Sequence, residues 1–316
     1  MKYACLFPGQ GSQQVGMGKD ICGHWQVARE TFLEANDVLG FDLTKLCFTG
    51  PQTQLTATQY AQPAILTTSV ALLRVLAHQE IKPAAVAGHS IGSFAALVAA
   101  EALTFADALR AVQQRGLLMA AVQQRGSMLA VACANQEKLN ETEALAREQY
   151  ALDVAAYNSP SQIVFSGLEE AIQALQDALA DKSGLQARRF AVSHAFHSRL
   201  MAEKKKCWEQ YLEGLLIARA HIPVGLNVTG EFTQDAQQIR ADLIEQFTSA
   251  VQWHHLFSQL VEQSYDLLFE VGMGRTLTGL ARAWHEKPTV LTTDSTAALT
   301  KVLKYVQAQP TIAPAA

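Results

Sequence analysis

Residues 88–92, Gly-His-Ser-Ile-Gly, contain the serine best placed in this chain to act as a nucleophile. They follow an apolar run at residues 84–87 that predicts a strand, and they precede an alanine-rich stretch at residues 94–100 that predicts a helix. A serine at the tip of a strand–turn–helix unit, with glycines two residues away on each side, is typical of a nucleophile elbow. A tight turn with an N-capping serine is the alternative. We interpret Ser90 as a nucleophile at a helix N-terminus, where the helix dipole favours negative charge.

A serine hydroxyl is a poor nucleophile at neutral pH and needs a nearby base, most often histidine. The chain has nine histidines. His194 and His197 lie just past a predicted strand end, where loops emerge over a sheet, and either could be the base. His89 belongs to the elbow, and we expect its side chain to lie beside the serine backbone and to point away from the hydroxyl.

Arg115 is the second residue that suggests chemistry. A capping pattern at Thr104 and Asp107 predicts a helix that starts near Thr104. Along this helix Arg115 falls on an apolar stripe, together with Ala108, Val112 and Met119. A buried arginine needs an anionic partner, either in an internal salt bridge or in a substrate carboxylate held by two parallel hydrogen bonds. The pattern leaves both possibilities open.

The hexapeptide Ala-Val-Gln-Gln-Arg-Gly occurs twice, at residues 111–116 and 121–126. Each copy is too short to be a structural repeat. Arg115 and Arg125 must nevertheless be distinguished in any argument about a functional arginine.

Residues 7–13, Phe-Pro-Gly-Gln-Gly-Ser-Gln, form a glycine-rich turn after a strand predicted at residues 3–7. Such a turn can present backbone N–H groups to a developing oxyanion, although a plain turn between a strand and a helix is equally consistent with this segment. The Gly-Lys-Ser/Thr ending of a phosphate-binding loop is missing, which argues against a phosphate cradle.

The composition is that of an ordinary globular protein, with 316 residues, 49% hydrophobic and 17% charged, and a net charge of −4. This balance gives no reason to expect a nucleic-acid partner. We expect no signal peptide and no membrane span, because no apolar run has the required length. The five cysteines are scattered and never form a Cys-x-x-Cys pair, so we expect reduced thiols, a cytoplasmic location and no metal site.

Alternating apolar runs and helical patterns predict a mainly parallel α/β sheet, interrupted in the middle of the chain. There, strands are predicted at residues 127–134, 153–157, 162–166 and 187–192, with a charged helix at residues 168–181. Further strands are predicted at residues 222–228, 267–271 and 289–293. We expect a large α/β domain (residues 1–126 and 193–300), a small α+β domain (residues 127–192), and a helix end with a disordered tail (residues 301–316).

Taken together, these segments resemble the malonyl-CoA:acyl carrier protein transacylase family, which includes the fatty-acid synthesis enzyme and free-standing acyltransferases of polyketide synthases. The resemblance runs from about residue 2 to residue 293, with the motifs in the family's order: 7–13, 58–64 (Thr-x-x-x-Gln-Pro-Ala), 88–92, 115–119 (Arg-Gly-x-x-Met), 158–162, 194–197 (His-Ala-Phe-His), 251–253 and 270–280. It implies an α/β-hydrolase-like core with a parallel sheet and a small inserted ferredoxin-like α+β domain.

The resemblance also implies roles for single residues. Ser90 becomes the acyl-accepting nucleophile and His197 its base, while Arg115, which fits the motif where Arg125 does not, binds the malonyl carboxylate. Backbone N–H groups are expected to hold the oxyanion. The remaining implied site residues are Gln10 and Ile91 for those N–H groups, Phe196, which occupies the space of a branched α-carbon, and His89 and Ser249 at the substrate.

Two positions depart from the family pattern. Ser93 stands where the family usually has glutamate, which removes a charge beside the site and bears on acyl selectivity. Ser249-Ala250 replaces the usual Asn-Pro. If that position orients the histidine through its backbone carbonyl, Ser249 can still do so, and if it acts through its side chain, we expect a looser orientation.

The expected reaction is ping-pong transfer of a malonyl group from malonyl-CoA, through a Ser90 ester, to the phosphopantetheine thiol of an acyl carrier protein. No bound cofactor, metal, nucleic acid or membrane is expected. The alternatives are a hydrolase that clears stalled acyl chains, a transferase for another extender unit, and a non-catalytic assembly subunit. The pattern fits fatty-acid and polyketide pathways equally.

Overall fold

The computed structural model describes residues 2–263, 265–286 and 288–307. In chain order its strands are β1 (Tyr3–Phe7), β2 (Ala85–Gly88), β3 (Ser127–Ala132), β4 (Asp153–Ser159), β5 (Gln162–Gly167), β6 (Gln186–Arg189), β7 (Val224–Gly225), β8 (Phe232–Thr233), β9 (Leu267–Glu270) and β10 (Val290–Thr292). The α-helices are α1 (Lys19–His24), α2 (Gln26–Leu39), α3 (Leu43–Thr49), α4 (Gln52–Thr56), α5 (Thr58–His78), α6 (Gly92–Ala99), α7 (Phe105–Ala120), α8 (Gln136–Glu148), α9 (Glu169–Leu179), α10 (Ala202–Glu213), α11 (Ala236–Glu245), α12 (Trp253–Glu262), α13 (Thr276–Ala281) and α14 (Thr296–Gln307).

The larger sheet has six strands in the order β10-β9-β1-β2-β7-β8, and all neighbours except β7 and β8 are parallel. The central strands β1, β2 and β9 are nearly continuous buried runs, as expected for parallel strands covered on both faces. Phe7 pairs with Gly88, so the turns that follow β1 and β2 emerge side by side at one edge of the sheet. The predicted α/β-hydrolase-like core with a parallel sheet is confirmed.

The smaller sheet is antiparallel, with the order β4-β5-β3-β6, and its chain order is β3-α8-β4-β5-α9-β6. This βαββαβ arrangement is ferredoxin-like, as the resemblance implied. Its apolar core includes Leu129, Phe165 and Ile172. The division into domains at residues 126/127 and 192/193 remains a prediction.

Strands β6 and β7 differ most from their predicted extents. Strand β6 ends at Arg189, not at residue 192, because the chain leaves the sheet there toward the loop of His194 and His197. Strand β7 covers only Val224–Gly225 of the predicted 222–228, since the Leu226 N–H bonds to the Glu231 carbonyl and the chain turns back into β8. Helix α8 was not among the predicted elements. Of the tail predicted to be disordered at residues 307–316, Gln307 is the last residue of α14, and residues 308–316 lie outside the described residues.

Helix α7 begins where the capping pattern predicts, since the Thr104 side chain accepts a hydrogen bond from the Asp107 N–H at 3.1 Å. It packs on α5, and Gly116 permits the approach because a Cβ there would lie 2.8 Å from the Gln59 Cα. Among the described residues, α5 alone is long and apolar enough to cross a membrane, and 78% of its most apolar window is buried inside the protein, which is typical of a core helix.

Candidate active site

The turn between β2 and α6 has the tight geometry of a nucleophile elbow. Ser90 adopts a left-handed backbone conformation with φ of 54°, which is rare for a residue with a side chain. A Cβ on Gly88 would collide with the backbone of Gly92, and a Cβ on Gly92 would collide with the Phe7 carbonyl. Both flanking glycines are therefore required by the packing of the turn, and Ser90 is held at its tip.

Asn227 clamps the elbow from the loop after β7. Its Oδ1 accepts a hydrogen bond from the Ser90 N–H at 2.7 Å, and its Nδ2 donates to the Gly88 carbonyl at 2.8 Å. The side chain is fully buried. Sequence reasoning missed this residue, although its place near the carboxyl end of a predicted strand was a usable signal.

His197 is the histidine that contacts Ser90. The distance from Ser90 Oγ to His197 Nε2 is 2.7 Å, while His197 Nδ1 lies 2.8 Å from the Gln246 carbonyl oxygen. Because a carbonyl only accepts, Nδ1 carries the proton and Nε2 is free to accept one from the serine. His194 instead lies 2.9 Å from Ser193 Oγ and 3.1 Å from the Val122 carbonyl, away from the nucleophile.

The His197 ring is held neutral. Burial, followed by the nearby charge of Arg115, lowers the pKa of His197 to about 3, against a smaller raising effect of the Gln246 carbonyl. Its backbone also has a left-handed conformation, with φ of 58°. The ring can therefore accept the serine proton at neutral pH.

The carbonyl that lies at hydrogen-bond distance from His197 Nδ1 belongs to Gln246. The Ser249 backbone makes only the last of the contributions to the His197 pKa. The histidine is oriented by a backbone carbonyl, as considered for Ser249, but the carbonyl comes from the C-cap of α11, three residues earlier. Nothing in the sequence around Gln246 pointed to this contact.

Arg115 reaches the same site from α7. Its Nη2 lies 3.3 Å from Ser90 Oγ and 3.1 Å from Gln246 Oε1, and only 2% of the residue is exposed. Within the described part of the chain no carboxylate forms an ion pair with it, so the internal salt bridge, one of the two alternatives, is absent there. Burial lowers the pKa of Arg115 to about 9. Arg125, in contrast, is exposed.

The backbone N–H groups of Gln10, in the turn after β1, and of Ile91, next to Ser90, have no hydrogen-bond partner among residues 2–263, 265–286 and 288–307. The turn that contains Gln10 is tied to the elbow because the His89 N–H donates to the Phe7 carbonyl at 2.9 Å. The Gln10 side chain donates to Thr58 Oγ1 at 3.3 Å. This arrangement leaves both N–H groups free to bind an oxyanion.

His89 and Phe196, the neighbours of Ser90 and His197 in the sequence, make contacts of their own. His89 Nε2 lies 2.8 Å from Asn158 Oδ1 on β4, so the histidine links the elbow to the smaller sheet and not to the Ser90 hydroxyl. Phe196 is buried and stacks on His194, with ring centroids 6.3 Å apart. No group of three or more His, Cys, Asp or Glu side chains among the described residues could hold a metal ion.

The site thus combines a serine, a neutral histidine within hydrogen-bond distance, two N–H groups and a buried cation, and in the part of the chain that the structure describes neither N–H group has an acceptor and the cation has no carboxylate partner. The first three are the parts of covalent acyl transfer through a serine ester. The cation adds a place for an acyl group that carries its own negative charge.

The sequence matches the acyl transferase domain family over residues 4–296. It is 36% identical over 284 residues to the malonyl CoA-acyl carrier protein transacylase of Bacillus subtilis, covering 89% of this chain and 90% of that one. It is also 37% identical over 283 residues to the polyketide biosynthesis protein ThaF of Burkholderia thailandensis, covering 89% of this chain and 24% of that protein.

Solved structures show the same fold. A malonyl-transacylase in complex with a type II polyketide synthase acyl carrier protein superposes with a TM-score of 0.91 at 34% identity, covering 96% of this chain and 100% of that chain. The malonyl CoA-acyl carrier protein transacylase of Coxiella burnetii has a TM-score of 0.90 at 32% identity, covering 96% and 97% of the two chains.

Proposed function

The chain belongs to the acyl transferase family, and from that premise we propose that it transfers malonyl groups from coenzyme A to an acyl carrier protein. Relatives that are named malonyl CoA-acyl carrier protein transacylases match most of its length. Ser90 carries the malonyl group as an ester between the two half-reactions.

The observation that carries this proposal is Arg115. A buried guanidinium without a carboxylate partner in the described residues costs free energy, because neither water nor an internal anion compensates its charge. The malonyl carboxylate supplies the missing anion at a group only 3.3 Å from the nucleophile. An enzyme for varied uncharged acyl groups gains nothing from this cation.

In the first half-reaction His197 Nε2 takes the proton of Ser90 Oγ as the oxygen attacks the thioester carbonyl of malonyl-CoA. The N–H groups of Gln10 and Ile91 donate to the oxyanion, and removing one such donor typically costs about 3–4 kcal/mol of transition-state stabilisation. The C–S bond then breaks, the coenzyme A thiolate receives the proton from His197, and a malonyl ester remains on Ser90.

The second half-reaction reverses these roles. The phosphopantetheine thiol of the carrier protein gives its proton to His197 and attacks the ester carbonyl. The ester C–O bond breaks, Ser90 recovers its proton from His197, and the malonyl thioester leaves on the carrier. Arg115 holds the carboxylate in both steps, and the buried ring of Phe196 excludes branched α-carbons.

The test is mass spectrometry of the intact protein after incubation with malonyl-, methylmalonyl- and acetyl-CoA, with Ser90→Ala as the control. We expect a malonyl adduct on the wild type that Ser90→Ala lacks, and its transfer to added phosphopantetheinylated carrier protein. Loss of the adduct in buffer as fast as with the carrier would instead indicate a hydrolase. Absence of any adduct would indicate a non-catalytic subunit, and preference for methylmalonyl a transferase for another extender unit.

The carrier protein and malonyl-CoA are thus the proposed partners, and no bound cofactor takes part in these steps. A cytoplasmic location is also part of the proposal. It is supported by the five free cysteines, of which Cys5, Cys22, Cys47 and Cys133 are buried.

A further inference from the structure

Ser93 lies in the first turn of α6, three residues after the nucleophile, and is only 4% exposed. Its hydroxyl lies 3.3 Å from the Gly88 carbonyl oxygen and 3.2 Å from Gln246 Nε2. Gln246 Oε1 in turn lies 3.1 Å from Arg115 Nη2. A continuous chain of hydrogen bonds therefore joins the end of β2 to the buried arginine, through the Ser93 hydroxyl and the Gln246 amide.

The donors and acceptors in this series of hydrogen bonds allow only one orientation of the Gln246 amide. A guanidinium only donates, so the Gln246 amide must turn its oxygen toward Arg115 and its nitrogen toward Ser93. The Ser93 hydroxyl gives its proton to the Gly88 carbonyl and accepts from the amide. With the amide flipped, its NH₂ group would face the guanidinium, and two donors would meet in a buried site.

A neutral amide holds the guanidinium in place without cancelling its charge. The charge of Arg115 and its remaining donors stay available for a carboxylate beside Ser90. The Gln246 backbone carbonyl meanwhile orients His197, so the same residue supports both the base and the cation.

We propose that Ser93 is a positioning residue for acyl selectivity: it fixes the Gln246 amide, which holds Arg115 in the orientation that binds a carboxylated acyl group. This inference rests on the proposed function. Ser93 touches neither the reacting atoms nor the acyl group, and it acts only through Gln246 and Arg115.

The test compares Ser93→Ala with the wild type for acylation of Ser90 by malonyl-CoA and acetyl-CoA. Leaving the buried amide NH₂ without an acceptor should lower kcat/KM for malonyl-CoA about tenfold, mainly through KM, and leave acetyl-CoA unchanged. Ser166→Ala is the matched control, because Ser166 is equally buried and its hydroxyl has no partner among the described residues. An unchanged malonyl-to-acetyl ratio, or an equal loss for both substrates, would overturn the proposal.

A double-mutant cycle with Arg115→Ala separates positioning from a structural effect. If Ser93 acts through Arg115, adding Ser93→Ala to the Arg115→Ala variant causes no further loss with malonyl-CoA, whereas additive losses contradict the proposal. Should Ser93→Ala fail to fold, Ser93→Cys weakens the same hydrogen bond, because a thiol is a poor acceptor, and a smaller loss of selectivity in the same direction is expected. A wild type that takes no malonyl group refutes the proposed function itself, whereas a malonylated wild type with an unaltered Ser93→Ala ratio refutes only the role of Ser93.

Discussion

The two copies of Ala-Val-Gln-Gln-Arg-Gly share six residues and have opposite surroundings. The copy at residues 111–116 lies inside α7, where Arg115 is buried beside the nucleophile. The copy at residues 121–126 follows the last residue of α7, and Arg125 is exposed. Position relative to the helix start at Thr104, and not local sequence, decides which arginine enters the site.

Each arginine acts on a different histidine. Arg115 adds to burial in lowering the pKa of His197, which contacts Ser90. Arg125 adds to burial in lowering the pKa of His194, which is bonded to the turn at Val122. Arg115 is therefore a cation that a substrate can contact, whereas Arg125 acts only on a neighbouring loop.

Truncation of the two arginines should give the largest difference in activity between the two copies of the hexapeptide. Arg115→Ala removes the proposed partner of the malonyl carboxylate, a loss of about 2–5 kcal/mol, so we expect kcat/KM for malonyl-CoA to fall about thirtyfold or more. Acetyl-CoA should react as before. Arg125→Ala, as an exposed substitution, should stay within about twofold for both substrates. An equal loss of acetyl and malonyl transfer in Arg115→Ala would remove the carboxylate role.

Unlike the two arginines, the final glycines of the two copies, Gly116 and Gly126, should respond in the same way to substitution by alanine. A Cβ on Gly116 would lie 2.8 Å from Gln59 Cα, and one on Gly126 would lie 2.7 Å from Ala195 Cβ. Overpacking of this kind costs about 1–3 kcal/mol, so both alanine variants should lower the free energy of unfolding by that amount in urea. Gly23→Ala is the control, since nothing lies within 4 Å of its added methyl group. Stability unchanged in either variant would contradict the packing argument.

The sequence predicted the parts of the site that depend on local pattern. The elbow glycines, the capped start of α7 and the apolar stripe of Arg115 are set by residues close in the chain, so spacing alone revealed them. The choice between His194 and His197 came only from the resemblance, since both sit in one loop.

The supporting residues could not be predicted in this way. Asn227 reaches Ser90 from 137 positions away, and Gln246 reaches Arg115 from 131 positions away. Their partners are fixed by how β7 and α11 pack around the elbow, and neither residue has a distinctive local spacing. The short β7 was unpredictable for the same reason, because the bond between the Leu226 N–H and the Glu231 carbonyl, which ends it, also depends on the surrounding fold.

Removing the charge of each arginine should also affect the pH dependence of kcat/KM differently. Removing a positive neighbour favours the imidazolium form, so Arg115→Gln should raise the pKa of His197 above its value of about 3. Neutral His197 is the active form, so the acid limb of kcat/KM for acetyl-CoA should move to higher pH, while burial keeps it below the ordinary histidine value. Arg125→Gln should leave this limb in place. A limb that stays fixed in Arg115→Gln would show that the guanidinium does not act on the base.

The smallest expected effect lies at the second arginine. Arg125→Gln should raise the pKa of His194, because a positive charge that opposes protonation is removed while burial remains. Titration of the His194 ring by NMR measures the change, with the His197 ring as the internal control. Water screens the exposed guanidinium, so malonyl transfer should stay within about twofold. Equal shifts at both rings would mean that the two arginine–histidine pairs are coupled, and the second copy of the hexapeptide would then belong to the active site after all.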